Sequence, residues 1–360
     1  MANGITIPSR AGVVNATSDG SFAQDNALFL KKFSGEILQT FEESNVFKPL
    51  HTIRTIENGK SAQFPVTGVA TASYHTPGDN IAEAGGGATY LSDIKKAEKV
   101  INIDKMLLAS TFLANIDDVK NHYDIRSVYA NELGKALAKR FDTAIAKSFI
   151  GAARSASAIT GGPTGGVLDV SANAMGAIGD VDGTTTDPTG AQLIAALFTA
   201  AQKLDENDVP EDGRFCVLRP KEYYKLITGG SGSLVINSSG VNKDVGGEGS
   251  LATGNIPMVA GISIYKSNHI PSTDLSSGSG TNSGDAGSDN DLFAATDGYD
   301  AVFTNTLGVV AHSAAVGTVK LLDLATESEY QIERQGTLFV AKYAMGHGVL
   351  RPECAIELQK

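Results

Sequence analysis

The chain has 360 residues, of which 42% are hydrophobic, and its net charge of -11 argues against a protein that neutralises nucleic-acid phosphates over a wide surface. This length exceeds what one hydrophobic core normally supports, so we expect two domains or one domain with large excursions. No segment approaches the roughly 18 apolar residues of a membrane helix, and no signal peptide is evident. The two cysteines indicate neither a disulfide framework nor a metal site, and this low cysteine content favours a reducing cytoplasm.

The N-terminal part divides into a polar segment and a helical one. The first 25 residues are small and polar and predict a flexible arm. Asp25 then suits a helix N-cap, and apolar residues recur at helical spacing at Leu30, Phe33, Ile37 and Phe41. We therefore expect an amphipathic helix that needs a partner surface.

Residues 52–104 predict a long hairpin with little apolar content. The strand-like segments TIRTI with SAQFPV, and then KKAEKVINID, bracket a stretch rich in Gly, Ala, Thr and Pro. An isolated two-stranded ribbon is marginally stable in water, so something else must hold it. The partner is either the rest of this chain or a neighbouring copy, and under-packed excursions of this length favour the neighbour.

Residues 116–151 carry the strongest periodic signal and predict a helix of about 35 residues, about 50 Å long. Its apolar residues recur at every fourth position, at Ile125, Tyr129, Leu133, Leu137, Phe141, Ile145 and Phe149. Each step of four overshoots a full turn by about 40°, so the stripe winds about 240° around the helix. We therefore expect different neighbours along its length.

Glycine-rich loops after Gly151 suggest that a new α+β or α/β layer domain spans about 160 to 315. Its predicted elements are a helix, a buried strand in RFCVLRP, a short helix in KEYYKLI, a strand in ISIYKSNHI, and strand-like sequence in LFAATDGYDAVFTNTLGVVAHS. The buried face of the first helix should comprise Leu193, Ile194, Leu197, Ala201 and Leu204. An acidic, low-complexity surface loop follows ISIYKSNHI.

The C-terminal segment KYAMGHGVLRPECAIELQK raises two alternatives. A nucleophile near an imidazole, Cys354 and His347, would suggest a catalytic site. The preferred interpretation is a terminal strand in which Gly346 and Gly348 share one face, because a face without side chains admits another backbone, typically that of a helix. Pro352 suits the edge or end of a sheet.

No motif indicates enzyme chemistry. The GKS at 59–61 lacks the earlier glycine of a phosphate-binding loop, because position 54 is Arg54. No G-x-S-x-G motif of a serine hydrolase is present. The six histidines include no pair at metal-binding spacing. We therefore predict no catalytic, cofactor-binding or metal-ligating residue. A long chain of this kind, with an arm, an unsupported hairpin and a long helix, is typical of a self-assembling building block.

Seven segments carry a family resemblance. They are LFLKKFSGEILQTF, GKSAQFPVTG, PGDNI, AEKVINID, DDVKNHYDIRSVYANELG, SAAVGTVKLLDLA and AKYAMGHGVLRPE. In this order, from residue 28 to the C-terminus, they closely resemble the major capsid proteins of T7-like short-tailed bacteriophages, whereas residues 155–300 resemble the family less.

The resemblance implies the α+β HK97-like (Johnson) capsid fold. Its parts would be an N-terminal arm at 1–50, an extended loop at 51–103, a peripheral domain at 104–158 and 316–360 with a long spine helix, and an axial domain at 159–315. Gly346 and Gly348 would lie under the spine helix, and His347 and Cys354 would be structural.

The implied function is to form hexamers and pentamers of an icosahedral head shell enclosing double-stranded phage DNA, without sequence-specific DNA binding and without a cofactor. The extended loop would lie over the neighbouring subunit's peripheral domain. Its expected contacts are the anchors Phe64, Tyr74 and Tyr90 and the polar residues Lys95, Lys96 and Lys99. A separate scaffolding protein, a portal protein at one vertex, and assembly in the host cytoplasm are also expected.

Two alternatives remain open at this stage. An encapsulin-type bacterial compartment shell shares the fold, and an enzyme cargo inside native particles would favour it. A soluble hydrolase would use the Gly/Ser loops, and loss of a defined activity on changing one Ser or His would favour that function.

Overall fold

The computed structural model describes residues 37, 45–68, 70, 72–75, 77, 81, 94–103, 106–116, 125–157, 159, 162–171, 174–176, 187–228, 256, 258–273 and 301–360. The chain divides into two compact units. The first comprises residues 1–45, 105–142 and 322–345, and the second comprises residues 46–104, 143–321 and 346–360. Within the described residues, no helix is long and apolar enough to cross a membrane.

The described α-helices are α1 (Ile125–Ala153), α2 (Gly190–Glu206) and α3 (Pro220–Thr228). The early strands are β1 (Thr52–Thr55), β2 (Ser61–Thr67), β3 (Lys96–Asn102), β4 (Leu107–Ala114), β5 (Gly166–Asp169) and β6 (Ala174–Gly176). The later strands are β7 (Arg214–Leu218), β8 (Met258–Val259), β9 (Ile262–Lys266), β10 (Thr306–His312), β11 (Val316–Gln331), β12 (Gly336–Val349) and β13 (Ala355–Gln359).

These strands form three sheets. One has the order β1-β11-β12-β4, in which β1 runs parallel to β11 and β4 runs antiparallel to β12. The largest has the order β6-β5-β13-β10-β7-β9-β8. The third is the antiparallel ribbon of β2 and β3, which confirms the predicted hairpin strands. The segment TIRTI is not part of that ribbon, because its residues 52–55 pair with β11.

The long helix α1 has the different neighbours that its winding stripe predicts. In the first unit, Phe141 meets the ring of Tyr343 edge-on at 6.2 Å. In the second unit, Phe149 packs edge-on against Phe215 of β7 at 5.3 Å, and against Phe47 at 6.1 Å. The stripe is not buried throughout, since the Tyr129 side chain is exposed. Residues 117–124 of the predicted helix lie outside the described residues.

A buried ion pair joins the end of α1 to the large sheet. Glu357 on β13 is fully buried and accepts hydrogen bonds from Arg154 Nε at 2.6 Å and Nη2 at 2.7 Å. Thr306 Oγ1 donates a third at 2.5 Å, and Arg154 Nη1 donates to the carbonyl oxygen of Val302. The charge of Glu357 is therefore paired and hydrogen-bonded, as a buried carboxylate requires.

Helix α2 forms as its sequence predicts. Thr189 is the N-cap of a capping box with Gln192, whose side chain accepts from the Thr189 N–H at 2.9 Å. The predicted face is buried at Leu193, Ile194, Leu197 and Leu204. Ala200 is buried in place of Ala201, which is half-buried. The strands β7, β9 and β10 and the helix α3 confirm the other predictions for this region.

The strand predicted over Tyr343 to Leu350 is confirmed, since β12 extends to Val349, but two details of the C-terminal segment are wrong. This strand is not the last one, because a 3₁₀ turn at Pro352–Cys354 leads into β13, which lies buried between β5 and β10. Gly346 and Gly348 do admit a close neighbour, but it is not a helix. A Cβ atom at Gly348 would lie 2.6 Å from Cγ1 of Ile101, and one at Gly346 would overlap the carbonyl oxygen of Asn102, so the neighbour is β3.

Candidate assembly surface

The ribbon of β2 and β3 has a covered face and an exposed face. Residues directly opposite each other in an antiparallel pair share a face. The covered face consists of the pairs Ala62 with Ile101, Phe64 with Lys99, and Val66 with Ala97, which are all buried or half-buried. The exposed face consists of the pairs Ser61 with Asn102, Gln63 with Val100, Pro65 with Glu98, and Thr67 with Lys96.

The root of the ribbon is attached to its own chain through the covered face. Its buried residues Ala62 and Ile101 form a cluster with Val319 of β11, and four partly buried side chains pack against this cluster, from Ile56, Phe64, Ile103 and Leu350. The Arg54 guanidinium on β1 lies 5.5 Å from the centre of the Phe64 ring. The opposite face, turned away from this cluster, is exposed among the described residues.

The six predicted contact residues do not occupy one surface. Phe64 and Lys99 lie opposite each other on the covered face and are half-buried. Lys96 is exposed on the other face, and Lys95 is also exposed. Tyr74 is fully exposed, and Tyr90 lies outside the described residues. Their role in contacts between subunits stays a prediction.

A second surface, in the first unit, was not anticipated from the sequence. On one side of the β4–β12 pair, Leu113, Phe339, Ala341 and Tyr343 are buried. The other side, which we call the outer face, carries Leu108, Phe112, Leu338 and Val340. Leu108 is 54% exposed and Phe112 is 38% exposed, and Met106 just before β4 is 48% exposed. The same face carries the exposed Ser110 between Leu108 and Phe112, and Lys342 opposite Leu108, so it is a mixed surface with exposed apolar side chains. We treat it as a candidate interaction surface.

One signal for the outer face is present in the sequence. The segment LLASTFLA places apolar side chains at both alternating positions of a strand. A strand with one face in water normally alternates apolar and polar residues. The absence of this alternation in LLASTFLA is the sequence feature that corresponds to the exposed apolar side chains of the outer face.

The Cys354 and His347 side chains have no reactive character. Burial raises the pKa of the Cys354 thiol to about 11, and burial likewise raises the pKa of Cys216. Burial, with a smaller contribution from nearby His51, lowers the pKa of His347 to about 3. His347 Nδ1 lies 2.8 Å from Thr318 Oγ1. A protonated thiol and a neutral buried imidazole fit a structural role. Among the residues described, no group of three His, Cys, Asp or Glu side chains could hold a metal ion.

Comparison with known proteins decides the family. A family model described as Gp10A-like, major capsid protein, matches residues 63–359. The chain belongs to this family. The major capsid protein of Escherichia phage T7 is 35% identical to this capsid protein over 336 residues, covering 91% of this chain and 90% of that relative.

Solved structures agree with the assignment of this major capsid protein. The capsid structure of the cyanophage P-SCSP1u is 40% identical, covers 98% of both chains, and has a TM-score of 0.66. The mature capsid of bacteriophage PhiM1 is 17% identical, with a TM-score of 0.63, and covers 88% of this chain and 86% of that chain. The latter likeness concerns the fold alone. The expected α+β HK97-like fold is confirmed.

Membership identifies the chain as a structural phage capsid component and not an enzyme, because its relatives are structural capsid proteins. This confirms the resemblance carried by the seven sequence segments. It also decides against the soluble hydrolase and favours a phage capsid over an encapsulin-type compartment.

Proposed function

We propose that this major capsid protein assembles into hexamers and pentamers that tile an icosahedral head around double-stranded phage DNA. The observation that supports this most directly is the pair of surfaces left open on one chain. Among the residues that the structure describes, none covers the exposed face of the β2–β3 ribbon, and Leu108 and Phe112 on the outer face of the β4–β12 pair stay exposed. Identical copies can supply that cover.

We propose further that the ribbon of one copy lies over the outer face of its neighbour. The ribbon would contribute Val100, which is 50% exposed, together with Tyr74, Lys95 and Lys96. Of the other predicted contact residues, Phe64 and Lys99 are half-buried on the covered face and would contribute only their exposed parts, and Tyr90 lies outside the described residues. The outer face would contribute Leu108 and Phe112. Burying about 100 Å² of apolar surface is worth about 2.5 kcal/mol, so modest contacts repeated over a shell suffice to hold it.

The assignment of chain segments to capsid parts is also a proposal. It places the arm at 1–50, the extended loop at 51–103, the peripheral domain at 104–158 and 316–360, and the axial domain at 159–315. One observation refines it. Strand β13, at residues 355–359, pairs with β5 and β10, so its backbone continues the sheet of the proposed axial domain.

The remaining partners follow from the proposed role. Packaged DNA must move freely, and the net charge of -11 suits a shell that does not adhere to it. We propose a separate scaffolding protein during assembly, a portal protein at one vertex, and assembly in the host cytoplasm.

The experiment compares two changes at one position of the outer face. Leu108→Asp puts a charge on the proposed contact at a site that is already half in water, so folding should persist, whereas Leu108→Met keeps the apolar contact. Each variant is co-expressed with the scaffolding protein and viewed by negative-stain microscopy. We expect closed shells from Leu108→Met and unassembled protein from Leu108→Asp. Closed shells at wild-type yield from folded Leu108→Asp would contradict the proposed contact.

A further inference from the structure

Three glycines lie where the root of the ribbon meets β11 and β12 of its own chain. We call Gly317, Gly346 and Gly348 the glycine seat. A Cβ atom at Gly348 would lie 2.6 Å from Ile101 Cγ1. One at Gly317 would lie 2.7 Å from Leu350 Cδ1 and in ordinary contact, at 3.4 Å, with Ile101 Cδ1. At Gly346 the obstacle is the backbone of Asn102. Real Cβ atoms essentially never come closer than 3.0 Å to another heavy atom, so a side chain at Gly346 or Gly348 would force β3 or the Ile101 side chain to shift.

The seat holds a specific side chain. Ile101 is 2% exposed and packs with Ala62 and Val319. Immediately after it, the Ile103 N–H donates to the carbonyl oxygen of Lys60 at 2.8 Å, which closes the ribbon at its root.

The other strand of the ribbon, β2, is also held at the root. Arg54 of β1 lies over the ring of Phe64, and its Nη1 donates to the carbonyl oxygen of Gln63 at 3.4 Å. Strand β1 itself pairs with β11, where Thr52 lies opposite Gly317. Both strands of the ribbon are therefore held against β11 and β12.

A small displacement at the root becomes large at the far end. From Asn102 to Lys96 the ribbon extends about 20 Å, at about 3.4 Å per residue. If Ile103 stays fixed while Ile101, two residues or about 6.8 Å along the strand, is raised by about 1 Å, the strand tilts by about 8°. Lys96, about 24 Å from Ile103, then moves by about 3.5 Å. That is the length of a whole side-chain contact.

We infer that Ile101 and the glycine seat are positioning residues that set the angle at which the ribbon leaves its subunit. In the assembled shell this angle decides where the ribbon meets the neighbouring copy, a consequence that rests on the proposed function. The angle itself is a property of the single chain.

The test uses the different obstacles at two glycines. Gly348→Ala places a methyl group against the Ile101 side chain, so the second change Ile101→Ala removes the conflict. Gly346→Ala places it against the Asn102 backbone, so Ile101→Ala gives no relief. The matched control is Gly151→Ala in α1, where an added Cβ meets nothing within 4 Å.

The angle is measured in the unassembled full-length chain, as the distance between spin labels at Thr67→Cys on the ribbon and Glu211→Cys. Cys216 and Cys354 are buried and do not take the label. We expect Gly348→Ala and Gly346→Ala to shift the distance by about 3.5 Å. Ile101→Ala should restore it only in the Gly348→Ala background, and Gly151→Ala should leave it unchanged. An unchanged distance in Gly348→Ala, or equal restoration in both backgrounds, would overturn the inference.

Two further results complete the design. If circular dichroism shows that a glycine variant does not fold, the folded Ile101→Ala variant decides the question. Loss of the Ile101 side chain from the seat must broaden the distribution of spin-label distances. A distribution as narrow as that of the wild type would refute the inference. Shell formation is then scored by microscopy. Normal shells from chains with a shifted distance would refute the consequence for assembly. Failure of both wild type and Gly151→Ala to form shells would instead count against the proposed function, while the distances still decide the seat.

Discussion

Replacing Arg154 by methionine should destabilise the second unit strongly. The change leaves the carboxylate of Glu357, which is fully buried, without the two hydrogen bonds of 2.6 and 2.7 Å that neutralise it. Removing one partner of a buried ion pair costs about 3–5 kcal/mol because the other charge stays buried. This is a large part of the 5–15 kcal/mol that stabilises a typical folded protein.

The assay is chemical denaturation of the unassembled chain, followed by circular dichroism. Two controls separate the charge from its surroundings. Lys203→Met breaks the solvent-exposed pair with Glu206 and should change the unfolding midpoint little. The double variant Arg154→Met with Glu357→Met removes both charges and should recover much of the loss, since apolar replacement of a whole buried pair is often neutral. Equal midpoints for Arg154→Met and Lys203→Met would refute the reasoning.

Two further predictions concern folding. Because the pKa of His347 is about 3 when folded and about 6.5 when unfolded, the unfolded chain takes up the proton first, so this stabilisation is complete above pH 6.5 and is lost as the pH falls towards 3. Between pH 7 and pH 5 the free energy of unfolding should fall by about 2 kcal/mol. Denaturation curves of His347→Gln should lack this dependence of the free energy of unfolding on pH. The same pH dependence in the variant and the wild type would disprove the assignment to His347. Thr189→Ala removes the N-cap oxygen of α2 and should cost about 1 kcal/mol, measured by thermal unfolding, whereas Thr199→Ala, inside the same helix, should cost less.

Periodicity predicted those parts of the fold in which a residue's environment follows from its own neighbours in sequence. Phe141 and Phe149 lie eight residues apart in one stripe, and both are buried as their spacing indicates. The strand-like segments SAQFPV and KKAEKVINID likewise predicted β2 and β3. The start of α2 is local in the same sense, because the capping box of Thr189 and Gln192 lies within four consecutive residues.

Contacts between distant segments were not predictable in this way. The strand AIELQ carries Glu357, and nothing nearby in sequence indicates that Arg154, 203 residues earlier, neutralises it. The pattern at Gly346 and Gly348 correctly indicated a close approach of backbone but not which backbone. The sequence likewise did not indicate that the Phe64 ring, expected to contact a neighbour, also packs in part against the root of its own ribbon.

The central claim is that identical copies cover the surfaces that one chain leaves open. Electron cryomicroscopy of particles formed with the scaffolding protein tests it most directly, at a resolution that shows side chains. The account predicts the ribbon from Ser61 to Asn102 lying across Leu108 and Phe112 of the neighbouring copy. A ribbon that contacts only its own chain, with the outer face still in solvent, would contradict it.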